Sequence, residues 1–167
     1  ALPICSMQTT QTGHEGIAAA YEESGNQAVV AVSNGTASSF SWRAWDGTTW
    51  SAATAEVIGD DFESGTIAAD EGSDNLVLCY IDQDRDIGVT RWTGAAWTGN
   101  TELHTTWANT DSLYDDRPVD CAFEVGGARD GYMMVTYATS TAMAYRAWDG
   151  VAWSTAARAS TFGPSVR

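Results

Sequence analysis

SFSWRAWDGTTWSAATAEV, residues 39–57, sets two tryptophans, Trp45 and Trp50, on either side of Asp46-Gly47. Asp-Gly is a hairpin signal, because glycine accepts positive φ at little steric cost. A tryptophan on each arm makes a cross-strand aromatic pair able to hold the register of such a hairpin. The pattern recurs twice. DIGVTRWTGAAWTGNTELH, residues 86–104, carries Trp92 and Trp97 around Thr93-Gly94. TAMAYRAWDGVAWSTAARA, residues 141–159, carries Trp148 and Trp153 around Asp149-Gly150. Residues 43–47 and 146–150 are the same string, RAWDG.

The segments upstream repeat as well. IAAAYEESGNQAVVAV (residues 17–32), IAADEGSDNLVLCY (67–80) and VDCAFEVGGARDGYMMVTY (119–137) each read as a short apolar strand, a polar turn with glycine, and a second apolar strand. Each unit is therefore expected to hold about four short antiparallel strands: in the first, Ile17–Tyr21, Ala28–Ser33, Phe40–Trp45 and a fourth opening at Trp50. No stretch sustains helical periodicity. Four strands repeated every ~40–50 residues define a β-propeller-like blade, with a β-sandwich as the alternative. The organisation reads as an N-terminal arm (1–15) and three blades (16–61, 62–116, and 117–167 with the C-terminal tail). Trp45, Trp92 and Trp148 are expected at equivalent, largely buried positions. Three units fall short of the roughly four to eight blades of a closed ring, so a homo-oligomer or a larger propeller assembly is expected. The arm's segment 4–10 is long enough to add a strand.

Composition narrows the function. Hydrophobic residues make up 44% of the 167 and charged residues 18%, a folding composition. The formal net charge of −14 repels a phosphate backbone and argues against nucleic acid and anionic membrane surfaces. No apolar run approaches membrane-spanning length, so no insertion is expected. Cys5, Cys79 and Cys121 form no CxxC or Cys/His cluster, which leaves them as disulfide candidates in any pairing or as reduced thiols. The opening Ala1-Leu2-Pro3-Ile4 reads as a processed, secreted product, and Asn34-Gly35-Thr36 is a glycosylation sequon.

The string Trp-Asp-Gly-x-x-Trp resembles the repeat of the six-bladed fucose-binding lectins. Over residues 16–160 the chain is more similar to the blade repeats of large bacterial surface and secreted proteins. That resemblance implies an extracellular place and a propeller-like fold, and no activity. The lectin resemblance implies an arginine in the second strand and a glutamate three residues before the first Trp of each turn. The second strands here lack Arg, and Trp42, Val89 and Tyr145 stand at the glutamate position. The turn is also similar to the Ser-x-Asp-x-Gly-x-x-Trp motif of sialidases, with Asp and Gly one residue closer. Such an enzyme needs clustered arginines, for which Arg43, Arg91 and Arg146 are the candidates, although Arg91 aligns with Ala44 rather than Arg43.

Asp82, Asp84 and Asp86 form an Asp-x-Asp-x-Asp run, read either as a calcium loop or as a solvated hairpin turn. Glu22/Glu23 and Asp60/Asp61/Glu63 are further acidic clusters. Glu22 aligns with Asp70 and Glu124, so it belongs to the repeat and is expected to be structural, for example accepting backbone N–H bonds at a turn, rather than to catalyse. His14 and His104 lack partner motifs, and no catalytic residue is assigned. The expected function is a non-enzymatic extracellular structural or assembly module, such as a filament subunit, with glycan binding and sialidase-like hydrolysis as alternatives.

Overall fold

The computed structural model describes residues 16–36, 38–105, 119–139, 142–155 and 157–160. The N-terminal arm, with Cys5 and His14, lies outside the described residues. Among the described residues, twelve strands form three four-stranded antiparallel sheets. The first holds β1 (Ile17–Tyr21), β2 (Ala28–Ser33), β3 (Ser39–Trp45) and β4 (Thr54–Val57). The second holds β5 (Phe62–Ala69), β6 (Asn75–Asp82), β7 (Ile87–Thr93) and β8 (Trp97–His104). The third holds β9 (Val119–Phe123), β10 (Met133–Ala138), β11 (Met143–Trp148) and β12 (Ala157–Ser160). Each sheet is a meander in chain order. A 3-10 turn, Gly127–Arg129, occupies the longer β9–β10 loop. No helix among the described residues is long and apolar enough to cross a membrane.

The sheets pack in sequence. β1 lies against β5, and β5 against β9, so the first strands of the three sheets stand side by side. Strand alternation then gives each sheet two faces. On β6, Leu76, Leu78 and Tyr80 face the first sheet and share a core with Val29, Ala31, Phe40 and Ala44. Val77, Cys79 and Ile81 face the third sheet and share a core with Val119, Met133, Val135 and Tyr137. Residues 76–80 are therefore an unbroken apolar run, buried from both sides, as the central layer of a stack requires.

The tryptophan pairs occupy equivalent places in register but not in burial. The ring centroids of Trp45/Trp50, Trp92/Trp97 and Trp148/Trp153 are 5.4, 5.7 and 5.5 Å apart. Trp92 is only 2% exposed, whereas Trp45 and Trp148 are half-buried, against the expectation of three buried equivalents. The Trp92 side chain enters the first interface, where its ring meets Trp42 edge-on at 4.9 Å and Trp97 meets Phe40 at 5.6 Å. Trp45 lies on the face of the first sheet turned away from the second, since its register partner Ala28 alternates with the core residue Val29.

The fourth strand of the first unit opens at Thr54, not at Trp50, which makes only an isolated bridge to Trp45. Serine is the reason. Ser51 Oγ accepts the Ala44 N–H at 2.9 Å, and the Arg43 Nε–H is held by Ser51 O at 2.7 Å, so side chains take bonds that a ladder would use. Ser154 accepts the Ala147 N–H at 3.0 Å in the same way. The second unit has Thr98 at this place, and β8 runs directly from Trp97. The turns themselves form as the sequence indicates. Gly47 has φ 91° and Gly150 φ 92°, and Asp46 Oδ1 accepts the N–H groups of Thr48 and Thr49 at 2.8 and 2.6 Å. Those bonds, from Thr49 first, hold the Asp46 carboxyl below its usual range, and Ala152 and Val151 do the same for Asp149. Gly94, at φ 82°, serves the second turn.

Candidate functional site

The chemistry of this chain concentrates where sheets meet. The first tryptophan of each pair belongs to a three-residue row running across its sheet: Tyr21–Ala28–Trp45, Ala69–Leu76–Trp92 and Phe123–Met133–Trp148. The opposite face of the preceding sheet offers a row with a small residue at its near end. Ala20–Val29–Ala44 shares the core of Trp92, and Ala68–Val77–Arg91 faces Trp148. The fold thus repeats one contact, an aromatic row against a flatter row.

A polar latch closes the first contact. Glu22, at the end of β1 and 4% exposed, accepts the Trp92 indole N–H through Oε1. A buried carboxylate needs such a donor, since an uncompensated charge is costly away from water. The adjoining turns also meet, with Ser24 Oγ donating to Asp74 Oδ1. Sequence repetition identified Glu22 as structural but gave no partner. The signal was the pairing of a recurring acid with a recurring tryptophan one unit later.

The second contact is built differently. Asp70, the counterpart of Glu22, is one methylene shorter. It accepts the Ser73 hydroxyl at 2.7 Å, and its Oδ1 is buried without a partner. Arg91 instead covers Trp148, its guanidinium carbon 4.4 Å from the ring centroid. A small cleft remains there, lined by Arg91, Trp92, Phe123, Gly131, Met133 and Trp148 among others.

Two rows have no sheet against them among the described residues. On the outward face of the first sheet, Tyr21 is 63% and Ile17 53% exposed. On the outward face of the third, Ala122–Met134–Ala147 occupies the place of Ala20–Val29–Ala44, and Met134 is 46% exposed. Glu124, the third member of the Glu22 series, is exposed beside it.

The acidic turn after β6 does not gather a metal cage. Among the described residues no group of three or more His, Cys, Asp or Glu side chains is placed to hold an ion. Asp82 is buried and accepts the Asp86 N–H at 2.9 Å, while Asp84 is exposed and raised by Asp60. Asp86 and Asp60 are near enough to raise the carboxyls of both Asp82 and Asp84. Burial, with Asp86, Asp60 and Asp84 adding repulsion, pushes the Asp82 carboxyl up to about 6 from 3.8. The folded chain then binds this proton more tightly than the unfolded one. The carboxylate is a full penalty above pH 6 that fades as pH falls toward 4. Asp82→Asn keeps the acceptor for Asp86. It should raise stability at pH 7 by about 1–3 kcal/mol and by little at pH 4, read as the difference from the parent in urea melts at each pH.

The remaining candidates are dispersed. Arg43, Arg91 and Arg146 stand on three different sheets, and Arg91 has the opposite parity in register to the other two. His104 stacks on Tyr137 at 5.4 Å. Asp61 Oδ1 accepts the Ser38 N–H at 3.1 Å, and Asp60 Oδ1 the Asp61 N–H at 2.8 Å. The Asn34 amide donates to Ser39 Oγ and Ser41 Oγ at 3.2 and 3.1 Å. No protein-family model matches the chain, and no curated protein is detectably similar to it in sequence.

Proposed function

We propose that this chain is a non-enzymatic, extracellular structural module, built from propeller-like blades, that assembles end to end with copies of itself. The observation that carries the reading is complementarity between its two outward faces. The Tyr21–Ala28–Trp45 row repeats the aromatic half of the internal contact. The Ala122–Met134–Ala147 row with Glu124 repeats the receiving half. Docking one on the other would reproduce a contact the fold already makes, with Glu124 in the place of Glu22 and Trp45 in the place of Trp92. A rotation that closes would give a finite ring, and one that does not would give a filament. Exposed apolar groups on both faces support the proposal, since large apolar patches mark interaction surfaces. The acidic composition, the sequon and the surface-protein blade resemblance support an extracellular place.

Light scattering on the intact chain tests this. The expected result is a concentration-dependent mass above that of one chain. Met134→Asp on one face, or Tyr21→Glu on the other, should return it to a monomer with an unchanged circular dichroism spectrum. Monomers at every concentration would overturn the proposal and favour a sandwich that closes on itself.

A glycan-binding role is the second reading. Its support is the cleft between the second and third sheets, lined by Trp148 and Trp92 with Arg91 and Asn75 as polar groups. A glycan array on the parent and on Trp148→Ala distinguishes it, because a lectin at this cleft loses its signal in the variant.

A further inference from the structure

We propose that Cys79 and Cys121 form a disulfide that staples the second sheet to the third. Cys79 lies in the middle of β6, fully buried, on the face toward the third sheet. Cys121 lies on β9, half-buried, in register with Val135 on the face toward the second sheet. Its Sγ is 3.7 Å from Thr66 O and 3.7 Å from Val77 O. Thr66 is the register partner of Cys79, and Val77 is its neighbour on the same face of β6. Cys121 is near enough across the interface to raise the Cys79 thiol. Cys79 belongs to the same apolar cluster as Val77, Val89, Val119 and Val135, and Cys121 packs against it. The inference is independent of self-assembly.

The accessibility of the two thiols orders the chemistry. Burial, together with Cys121 itself, pushes the Cys79 thiol well up, so it is a poor first nucleophile. The more exposed Cys121 thiolate attacks a low-molecular-weight disulfide such as oxidised glutathione. This forms a mixed disulfide and releases one glutathione thiolate. Cys79 then loses its proton to solvent and attacks the Cys121 sulfur, expelling the second glutathione as thiolate. The net change converts two protein thiols and one glutathione disulfide into one protein disulfide and two glutathiones. Such a bond persists in an oxidising compartment and opens in a reducing one.

The test uses the full chain, folded, incubated with oxidised glutathione at mildly alkaline pH, then alkylated and mapped by mass spectrometry without reduction. The expected product is a peptide pair joined through Cys79 and Cys121, with the protein lighter by two hydrogens. Its melting temperature should rise on the order of 10 °C and fall back on reduction, because the bond closes a long loop of chain. Cys121→Ser, at the half-buried position, should fold, show no shift and leave Cys79 unmodified. Recovery of Cys5 in the joined pair, or a glutathione adduct that remains on Cys121 with Cys79 free, would overturn the assignment.

Discussion

Trp92→Ala should cost about 3–5 kcal/mol of folding stability, whereas Trp45→Ala, at the equivalent place in the repeat, should cost about 1 kcal/mol or less. Trp92 loses three things at once. Its ring is fully buried between two sheets, its edge contact with Trp42 disappears, and the buried Glu22 loses its indole donor. Trp45 has only its hairpin partner Trp50 and a half-open surface. Guanidinium melts of both variants give the comparison directly. Trp92→Phe separates the contributions. It keeps most of the apolar area and removes the N–H, so it should lose about 1–3 kcal/mol from the unsatisfied carboxylate. That loss should shrink when Glu22 is replaced by Leu in the same chain. Equal costs at Trp45 and Trp92 would mean that the stacking order of the sheets is wrong.

Gly88→Ala should cost about 2–4 kcal/mol. Gly88 sits opposite Tyr80 in the β6–β7 register, and Gly65 sits opposite it on the other side. A Cβ at Gly88 would fall inside the Tyr80 ring. The ring cannot swing aside cheaply. It is buried, and its hydroxyl donates to Asn100 Oδ1 at 2.6 Å, while Asn100 Nδ2 donates to Ile58 O at 2.8 Å. Gly88 thus makes room for a tyrosine that ties the outer strand β8 to the segment joining the first two sheets. A double-mutant cycle with Tyr80→Ala checks the account. With the ring gone, Gly88→Ala should become nearly neutral. A cost that persists would trace to the backbone of β7 instead.

The strands were legible because short apolar runs repeat between polar, glycine-bearing turns. Ile17–Tyr21 and Ala28–Ser33 coincide with β1 and β2, and the Asp-Gly turns fall where the tryptophans place them. The partition of burial among Trp45, Trp92 and Trp148 was not legible, since the three sit in near-identical local sequence. Which sheet is central is a tertiary fact. A hint was present in NLVLCYID, whose continuous apolar run fits a strand covered on both faces better than MMVTYA does. The start of β4 was misplaced because the serine that interrupts the ladder acts through its side chain. The unequal burial of the acidic turn was not legible either, since Asp82 and Asp84 look alike in sequence while the turn buries one and exposes the other.

A middle sheet walled on both sides also sets the order in which the molecule comes apart. Amides of β6 and β7 can exchange with deuterium only after one neighbour has peeled away. Those of the edge strands β4 and β12 need only local fraying. Exchange should therefore run inward from the two ends in native conditions, with the slowest protons on Leu76, Leu78 and Cys79. Stability in such a row behaves as a sum over junctions rather than over sheets. Each sheet added to either end would contribute one junction and turn a former end sheet into an inner one, so longer arrays of this unit should unfold more slowly and at higher temperature than the sum of their parts.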